Sequence, residues 1–375
     1  MDLTRPDTPH RAQIGRRRAG RLGAPACPHP AGTPTVHPVR AVVVTSPGGP
    51  QVLRVQDVPD PTPGPGEVLV DVAAAGVNRA DLLQRGGHYP PPPGAPAWPG
   101  LEASGVVLAV GPPPATPRAR ALAPQGTPTP RVGDRVAALL AGGGYAERVT
   151  VDASLTLPIP PRSDIQDAAA LPEALATVWS NLRAAALGDG QTLLVHGGSG
   201  GVGSVAVQLA HALGHRVLAT AGGAERCERV RELGADVVVD HRAQDVSRAV
   251  LDATDGRGVD VVLDVLGGRA LGANVRLLAE GGRLVVIGLQ QGRRGELDLP
   301  ALMARRGSVI ATTLRDRPAE QKAAIMADVR AHVWPLVLDG RVRPVVHARV
   351  PLADASRAHE MLEAGEVFGK VLLVP

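Results

Sequence analysis

The chain has 375 residues, a normal apolar content of 44% and six aromatic residues: three Trp, two Tyr and one Phe. That length accommodates two domains, and so few aromatics argue against stacking platforms for nucleic acid. The net charge of +4 does not signal a polyanion partner, because residues 1–40 hold seven arginines against Asp2 and Asp7 and the rest of the chain carries −1.

Two cysteines, Cys27 and Cys227, build neither a disulfide framework nor a structural zinc site. No run of 18 apolar residues is present to span a membrane, and no apolar signal segment opens the chain, so cytoplasm is the expected location.

Residues 1–38 are rich in Arg, Pro, Gly and Thr without an apolar period, and read as a disordered tail. Strands are expected over 39–44, 52–55 and 67–73, with Gly/Pro turns between them. A short helix follows at 79–84, then an extended proline loop at 89–93. Further strands are expected at 103–110, 135–139, 145–151 and 155–158, and the proline-rich stretch 112–130 reads as a surface loop. A helix spans 167–187, broken near its start by Pro172. The first part is therefore β-rich.

From 192 to 288 the pattern changes to alternating apolar strands and amphipathic helices. That alternation predicts a doubly wound parallel sheet. Strands at 308–312, 347–350 and 369–374 and helices at 319–338 and 352–362 follow, too few for a third domain. The expected division is a tail at 1–38, a β-rich domain at 39–165 completed by 306–375, and an inserted Rossmann domain at 166–305.

The stretch from Gln191 to Gly203 reads as strand, glycine turn and helix start. Gly198, Gly200 and Gly203 form G-x-G-x-x-G, with Ser199, Gly201 and Val202 between them. A strand before and a helix after are the context such a motif needs to bind a dinucleotide, whose pyrophosphate meets backbone amides at the helix start. At the tip of the second strand, where an NAD site places a carboxylate, the chain has Gly222 and Gly223. Arg226 is one turn into the next helix, and His241 and Arg242, after the third strand, are the groups that could substitute for it. A neutral pocket with Arg226 favours the 2′-phosphate of NADPH over NADH, with Glu225 as the counter-indication. Leu266-Gly267 and Gly288-Leu289-Gln290 follow later parallel strands, whose ends line the cofactor crevice in such sheets.

As an ordered set, several segments resemble the medium-chain dehydrogenase/reductase superfamily. They are GVNRADLLQRGGHYPPPPG (76–94), GLEASG (100–105), GDRV (133–136), PEALAT (172–177), HGGSGGVG (196–203), ELGAD (232–236) and GKVLL (369–373). Within the superfamily they are most similar to the zinc-free, zeta-crystallin-like quinone oxidoreductases, in the subgroup typified by the tumour-suppressor-inducible enzyme. The resemblance covers roughly residues 39–375.

It implies a GroES-like catalytic domain around a Rossmann domain, a cofactor in the cleft between them, and a homodimer or homotetramer. Zinc alcohol dehydrogenases place Cys and His where this chain has Asn78 and Leu101, while Glu102 remains. Loss of a thiolate and an imidazole removes the Zn²⁺ site and with it the Lewis-acid route. The resemblance further implies that Asn78 is an amide donor near the nicotinamide and the acceptor carbonyl, beside Asp81. Tyr89 would flank cofactor and quinone, Thr177 would contact the nicotinamide amide, and Lys370 would lie close to the cofactor.

The expected function is reduction of a quinone or similar conjugated acceptor by NADPH without zinc. The alternatives are an enoyl or alkenal reductase and, from another class, a protein that holds NADPH or RNA without turnover.

Overall fold

The structure is a computed structural model that describes residues 38–113 and 129–375. The tail expected at 1–38 and the loop expected at 112–130 lie, apart from their edge residues, outside the described residues.

The chain opens with an antiparallel pair, β1 (Val39–Val44) and β2 (Leu53–Val58). The first large sheet is built on β3 (Glu67–Gly76). Its Val68, Val70, Val72 and Ala74 are buried, the period of two that one core-facing side of a strand demands. A short helix, α1 (Arg79–Arg85), follows β3 directly. β4 (Glu102–Val110) pairs antiparallel along one edge of β3. β5 (Arg135–Leu139), β6 (Arg148–Asp152) and β7 (Thr156–Pro158) continue the sheet, β6 returning to the other edge of β3.

A 3₁₀ turn at Asp167–Ala170 and Pro172 precede α2 (Pro172–Ala184), so the expected break falls at the proline, which suits a first helical turn because it has no N–H to leave unpaired. Helix α2 buries Ala174, Leu175, Val178 and Leu182 and leads into the second sheet.

That sheet alternates β8 (Thr192–Val195), α3 (Gly201–Ala212), β9 (Arg216–Ala221), α4 (Ala224–Glu232), β10 (Val237–Asp240), α5 (Val246–Ala253), β11 (Val259–Asp264), α6 (Leu271–Arg276) and β12 (Leu278–Val286). After α7 (Leu299–Ala304) comes β13 (Ser308–Ala311). All six strands are parallel in the order β10-β9-β8-β11-β12-β13, the doubly wound arrangement. β13 is thus the sheet's outer strand, which corrects the expectation that the chain has left the Rossmann unit by residue 306. Helix α6 ends at Arg276, because Leu278 already lies in β12.

The chain then forms α8 (Ala319–Asp328), a π segment (Val329–Val333) and α9 (Trp334–Leu338). One helix was expected over this span. Pro335 has no N–H to continue the ladder and its ring crowds the preceding turn, so the ladder re-forms with a wider step before it. β14 (Val346–Pro351), α10 (Ala355–Glu363) and β15 (Lys370–Val374) complete the chain. β15 pairs with β14 and, at Leu372 and Leu373, with the end of β3, so the C-terminus does rejoin the first sheet.

Among the described residues no helix is long and apolar enough to cross a membrane.

Gly105 is opposite Val72 on β3, and a Cβ there would run into the Asp71 carbonyl. Gly105→Ala is expected to destabilise the protein by about 2 kcal/mol, the usual cost of overpacking a buried site. A lowered urea midpoint with unchanged slope checks it, and an unchanged midpoint contradicts it.

Candidate active site

The glycine turn forms between β8 and α3, as the spacing predicts. Gly197 has φ of 70°, a left-handed conformation that L side chains resist, and a Cβ on Gly203 would collide with the Gly197 carbonyl. Above Gly200 the space is open, its nearest atom being the Gly197 oxygen at 3.5 Å. The first-turn N–H groups of α3 have no partner within the helix, and a helix start of this kind suits an anion.

The turn is also docked onto the C-terminal strand. Gly369 N–H donates to the Ser199 carbonyl at 2.8 Å, and Gly200 and Gly369 form an isolated parallel bridge. A Cβ on Gly201 would touch the aliphatic stem of Lys370, at 2.7 Å from its Cε. Gly198, Ser199, Gly200, Gly201 and Lys370 are therefore gathered at one point by two elements far apart in sequence, with Val202 and Gly203 in the first turn of α3.

Lys370 is 4% exposed, and its Nζ donates to Glu102 and to Asn78 Oδ1. Glu102, fully buried, also accepts from Asn78 Nδ2 at 2.9 Å and from the Glu173 backbone N–H at 2.9 Å. A fully buried carboxylate needs this density of donors. Asn78 has both ends of its amide committed, so the donor implied for an acceptor carbonyl is instead engaged to Glu102.

Asp81 is completely buried and works on the protein's own groups. It accepts from Asn78 N–H at 2.8 Å, Gly100 N–H at 2.9 Å and the Tyr145 hydroxyl at 3.1 Å. Burial lifts its carboxyl to about 6 despite those donors. With no exposed surface it fixes the start of α1 and lies behind the site, which corrects the expectation that it acts beside Asn78 at the cleft.

Behind it, Tyr145 meets His359 Nε2 at 3.1 Å, and Arg85 reaches His359 Nδ1 at 3.3 Å and pairs with Glu363. Arg85 only donates, so Nδ1 accepts, Nε2 carries the hydrogen, and the Tyr145 hydroxyl is free to donate to Asp81. Burial, with the Arg85 charge adding to it, pushes His359 down to about 3.

Tyr89, on the proline loop, is half-buried; its hydroxyl donates to Asp316 Oδ2 at 3.2 Å. Burial, then the Asp316 charge, raises the phenol pKa. Arg315 lies 5.1 Å from the ring centroid and donates to the Tyr89 carbonyl, to Gln84 Oε1 at 2.6 Å and to the Ala141 carbonyl at 2.7 Å. The Thr177 hydroxyl donates to Glu173 Oε1 at 3.1 Å rather than to its own backbone. Glu173, Arg315 and Asp316 join these residues without having stood out in the sequence. Glu173 carried one signal, its place beside Pro172 at a helix start four residues before Thr177.

At the far end of the crevice, a Cβ on Gly222 would approach Arg242 Nε to 2.9 Å and His241 Nε2 to 3.0 Å. Asp240 is occupied, accepting from the Gly223 and Arg242 N–H groups at 2.9 Å. Arg226 points elsewhere and donates to the Gly365 carbonyl at 2.6 Å. Arg242 and His241, the expected substitutes, are thus the groups against Gly222, while Arg226 is engaged at Gly365. Gly267 N–H donates to Asp264 at 3.0 Å, Gln290 N–H to the Val265 carbonyl at 3.1 Å and Gln291 N–H to the Leu266 carbonyl at 2.7 Å. Leu266, Gly288 and Gln290 therefore belong to two interlocked loops at the strand ends, with Leu289 half exposed.

Among the described residues no group of three His, Cys, Asp or Glu side chains is placed to hold a metal ion.

His359 is neutral when folded down to about pH 3, whereas in the unfolded chain it takes up a proton near 6.5. Unfolding therefore binds a proton between those values, and this residue's contribution to stability is lost as pH falls through that window. The stability advantage of wild type over His359→Gln is expected to shrink by up to about 1.4 kcal/mol per pH unit below 6.5. Chemical denaturation of both proteins at pH 7 and pH 5 measures it; a constant difference contradicts it.

Known proteins share this architecture. The family model for zinc-binding dehydrogenases matches residues 201–328, and that for the alcohol dehydrogenase GroES-like domain matches residues 64–161. The chain is 32% identical over 345 residues to the quinone oxidoreductase of Rattus norvegicus, covering 90% of this chain and 98% of that one. It is 34% identical over 332 residues to a phthioceranic/hydroxyphthioceranic acid synthase of Mycobacterium tuberculosis, which is 88% of this chain but 15% of the synthase. The structure of Escherichia coli quinone oxidoreductase complexed with NADPH aligns with a TM-score of 0.74 at 29% identity, covering 90% of this chain and 99% of that one. With a Rossmann sheet, a GroES-like sheet rejoined by the C-terminus, and a relative matched over its full length, the chain belongs to the quinone oxidoreductases of the medium-chain dehydrogenase/reductase superfamily.

Proposed function

We propose that the protein is an NADPH-dependent reductase of quinones or similar conjugated acceptors. The observation that carries this is the glycine turn docked on Gly369, beside the buried cluster of Lys370, Glu102 and Asn78. A dinucleotide cradle and a polar chamber are thereby joined. The open space over Gly200 and the absence of a free carboxylate beside Gly222 fit the cofactor. The proposed holders are the amides of 199–203 for the pyrophosphate, Arg242 and His241 for the 2′-phosphate, and Thr177, Leu266 and Gly288–Gln290 along the nicotinamide half.

When bound, NADPH supplies a hydride. The chain's part is to orient and enclose. In this reading loops 265–268 and 288–292 line the nicotinamide, and Tyr89, braced by Arg315 and Asp316, offers its apolar ring to the acceptor. A quinone delocalises incoming charge over its ring, so positioning does much of the work a Lewis acid does for a simple carbonyl.

A second reading, reduction of a conjugated acyl double bond, is favoured by the match to a region of an acid synthase, an enzyme that builds acyl chains. Purified protein with NADPH and either a quinone or an enone distinguishes them by loss of the reduced-nicotinamide absorbance. Loss with quinone alone supports the first reading, loss with enone alone the second, and no loss with either refutes both. Arg242→Ser is expected to raise the Michaelis constant for NADPH about tenfold or more while leaving NADH unchanged, because a hydrogen bond to a charged group contributes about 1.5–3 kcal/mol. Equal effects on both cofactors count against Arg242.

We further propose a homo-oligomer formed across β13. This edge strand is largely exposed, and Val309 on it adds to exposed Leu299 and Met303 nearby, an apolar margin that another strand would cover. Val309→Arg is expected to reduce the mass measured by light scattering to that of one chain, and an unchanged mass excludes this edge.

A further inference from the structure

Glu173 is a carboxyl group that the reading above leaves unused. It opens α2 directly after Pro172 and is only partly buried. Its backbone N–H is fixed to Glu102 Oε2 at 2.9 Å, and its Oε1 accepts the Thr177 hydroxyl at 3.1 Å. Among the described residues its Oε2 has no hydrogen-bond partner, and it is not one of the sealed unpaired atoms. The carboxyl is therefore held next to the buried cluster with one oxygen uncommitted, beside the threonine expected against the nicotinamide.

The charges that face it come from every surrounding element. Glu102 on β4, Lys370 on β15 and Asp81 on α1 act on it electrostatically. So do Tyr89, Arg315 and Lys322 on α8. Lys370 is committed to Glu102 and Asn78, and Arg315 to three other acceptors, so neither pairs with Glu173. Burial first, and the like charge of Glu102 second, lift the Glu173 carboxyl to about 7, so it retains its proton up to neutral pH.

We propose that Glu173 is the proton donor that completes the reduction. The proposal rests on the reductase reading. The two electrons arrive as hydride on the conjugated acceptor, whose displaced pair moves onto its oxygen. The Glu173 O–H bond breaks as the new acceptor O–H bond forms, and the carboxylate regains a proton from solvent on its open side. Thr177, donating to Oε1, leaves Oε2 as the oxygen that carries the proton.

The test uses the whole enzyme and three readouts. Infrared titration of the protein alone follows the protonated-carboxyl stretch that Glu173→Gln removes. That band is expected at pH 6 and gone by pH 8, and a band already absent at pH 6 overturns the proposal whatever the variants do. Steady-state rates of wild type should fall as pH rises through about 7. Glu173→Gln should be slower by about 100-fold at pH 6 with that alkaline limb abolished, and Glu173→Asp should regain part of the rate. NADPH affinity by fluorescence should stay within about threefold of wild type. A Gln variant with the wild-type rate and the wild-type alkaline limb overturns the proposal. If wild type reduces no acceptor, the reductase reading fails separately, while the infrared titration still reports whether Glu173 holds the proton.

Discussion

A buried ammonium on a buried carboxylate ties this protein together. Lys370 and Glu102 are 4% and 0% exposed, and neither could be dehydrated alone without a cost of several kcal/mol. Each therefore requires the other, and together they require Asn78, whose amide turns its oxygen to the ammonium and its nitrogen to the carboxylate. The second carboxylate oxygen takes the first N–H after Pro172. One pair thus fixes β15, β4, the start of α1 and the start of α2 at a single point. The same lysine stem lies under Gly201, so the glycine turn cannot shift without disturbing the pair.

The three carboxyl groups around that point differ in how their charge is met. Glu102 has two donors and an ammonium. Asp81 has three donors but no cation in contact, and burial raises it to about 6. Glu173 has one side-chain donor and a charged neighbour of its own sign, and rises to about 7. Of the two that are raised, Asp81 has three donors and Glu173 one, and Glu173 rises further. Such a separation of pKa values between neighbouring acids is what a site that moves protons requires.

The cofactor end has a different logic. Close backbone packing decides the shape there: Gly203 against Gly197, and Gly222 against Arg242 and His241. Asp240 serves the turn's own amides, which leaves the neighbouring imidazole and guanidinium to set the polarity beside Gly222. The proposed discrimination between dinucleotides and the proposed handling of a proton thus fall to separate elements, the turns after β9 and β10 for the first and the start of α2 for the second.

Much of this was determined by local sequence. Strand and helix periods, the proline at 172, the glycine turn with its flanking strand and helix, and the gap at the tip of β9 are properties of neighbouring residues, because backbone sterics and side-chain periodicity act over a few positions. The tertiary structure decided what depends on residues brought together from distant segments. Arg226 and Arg242 are indistinguishable as cations in a sequence, and only the turn after β10 brings the second against Gly222 while the first reaches the Gly365 carbonyl. Asp81 and Glu173 are both acids at helix starts. Enclosure by Tyr145 and Gly100 buries one completely, while the other, bonded to Thr177, stays partly exposed. β13 looked like a return to the first unit because a four-residue apolar strand does not encode its partner; pairing with β12 assigns it to the Rossmann sheet. Burial and charge pairing, which set these roles, sum over the whole fold and are absent from any local stretch.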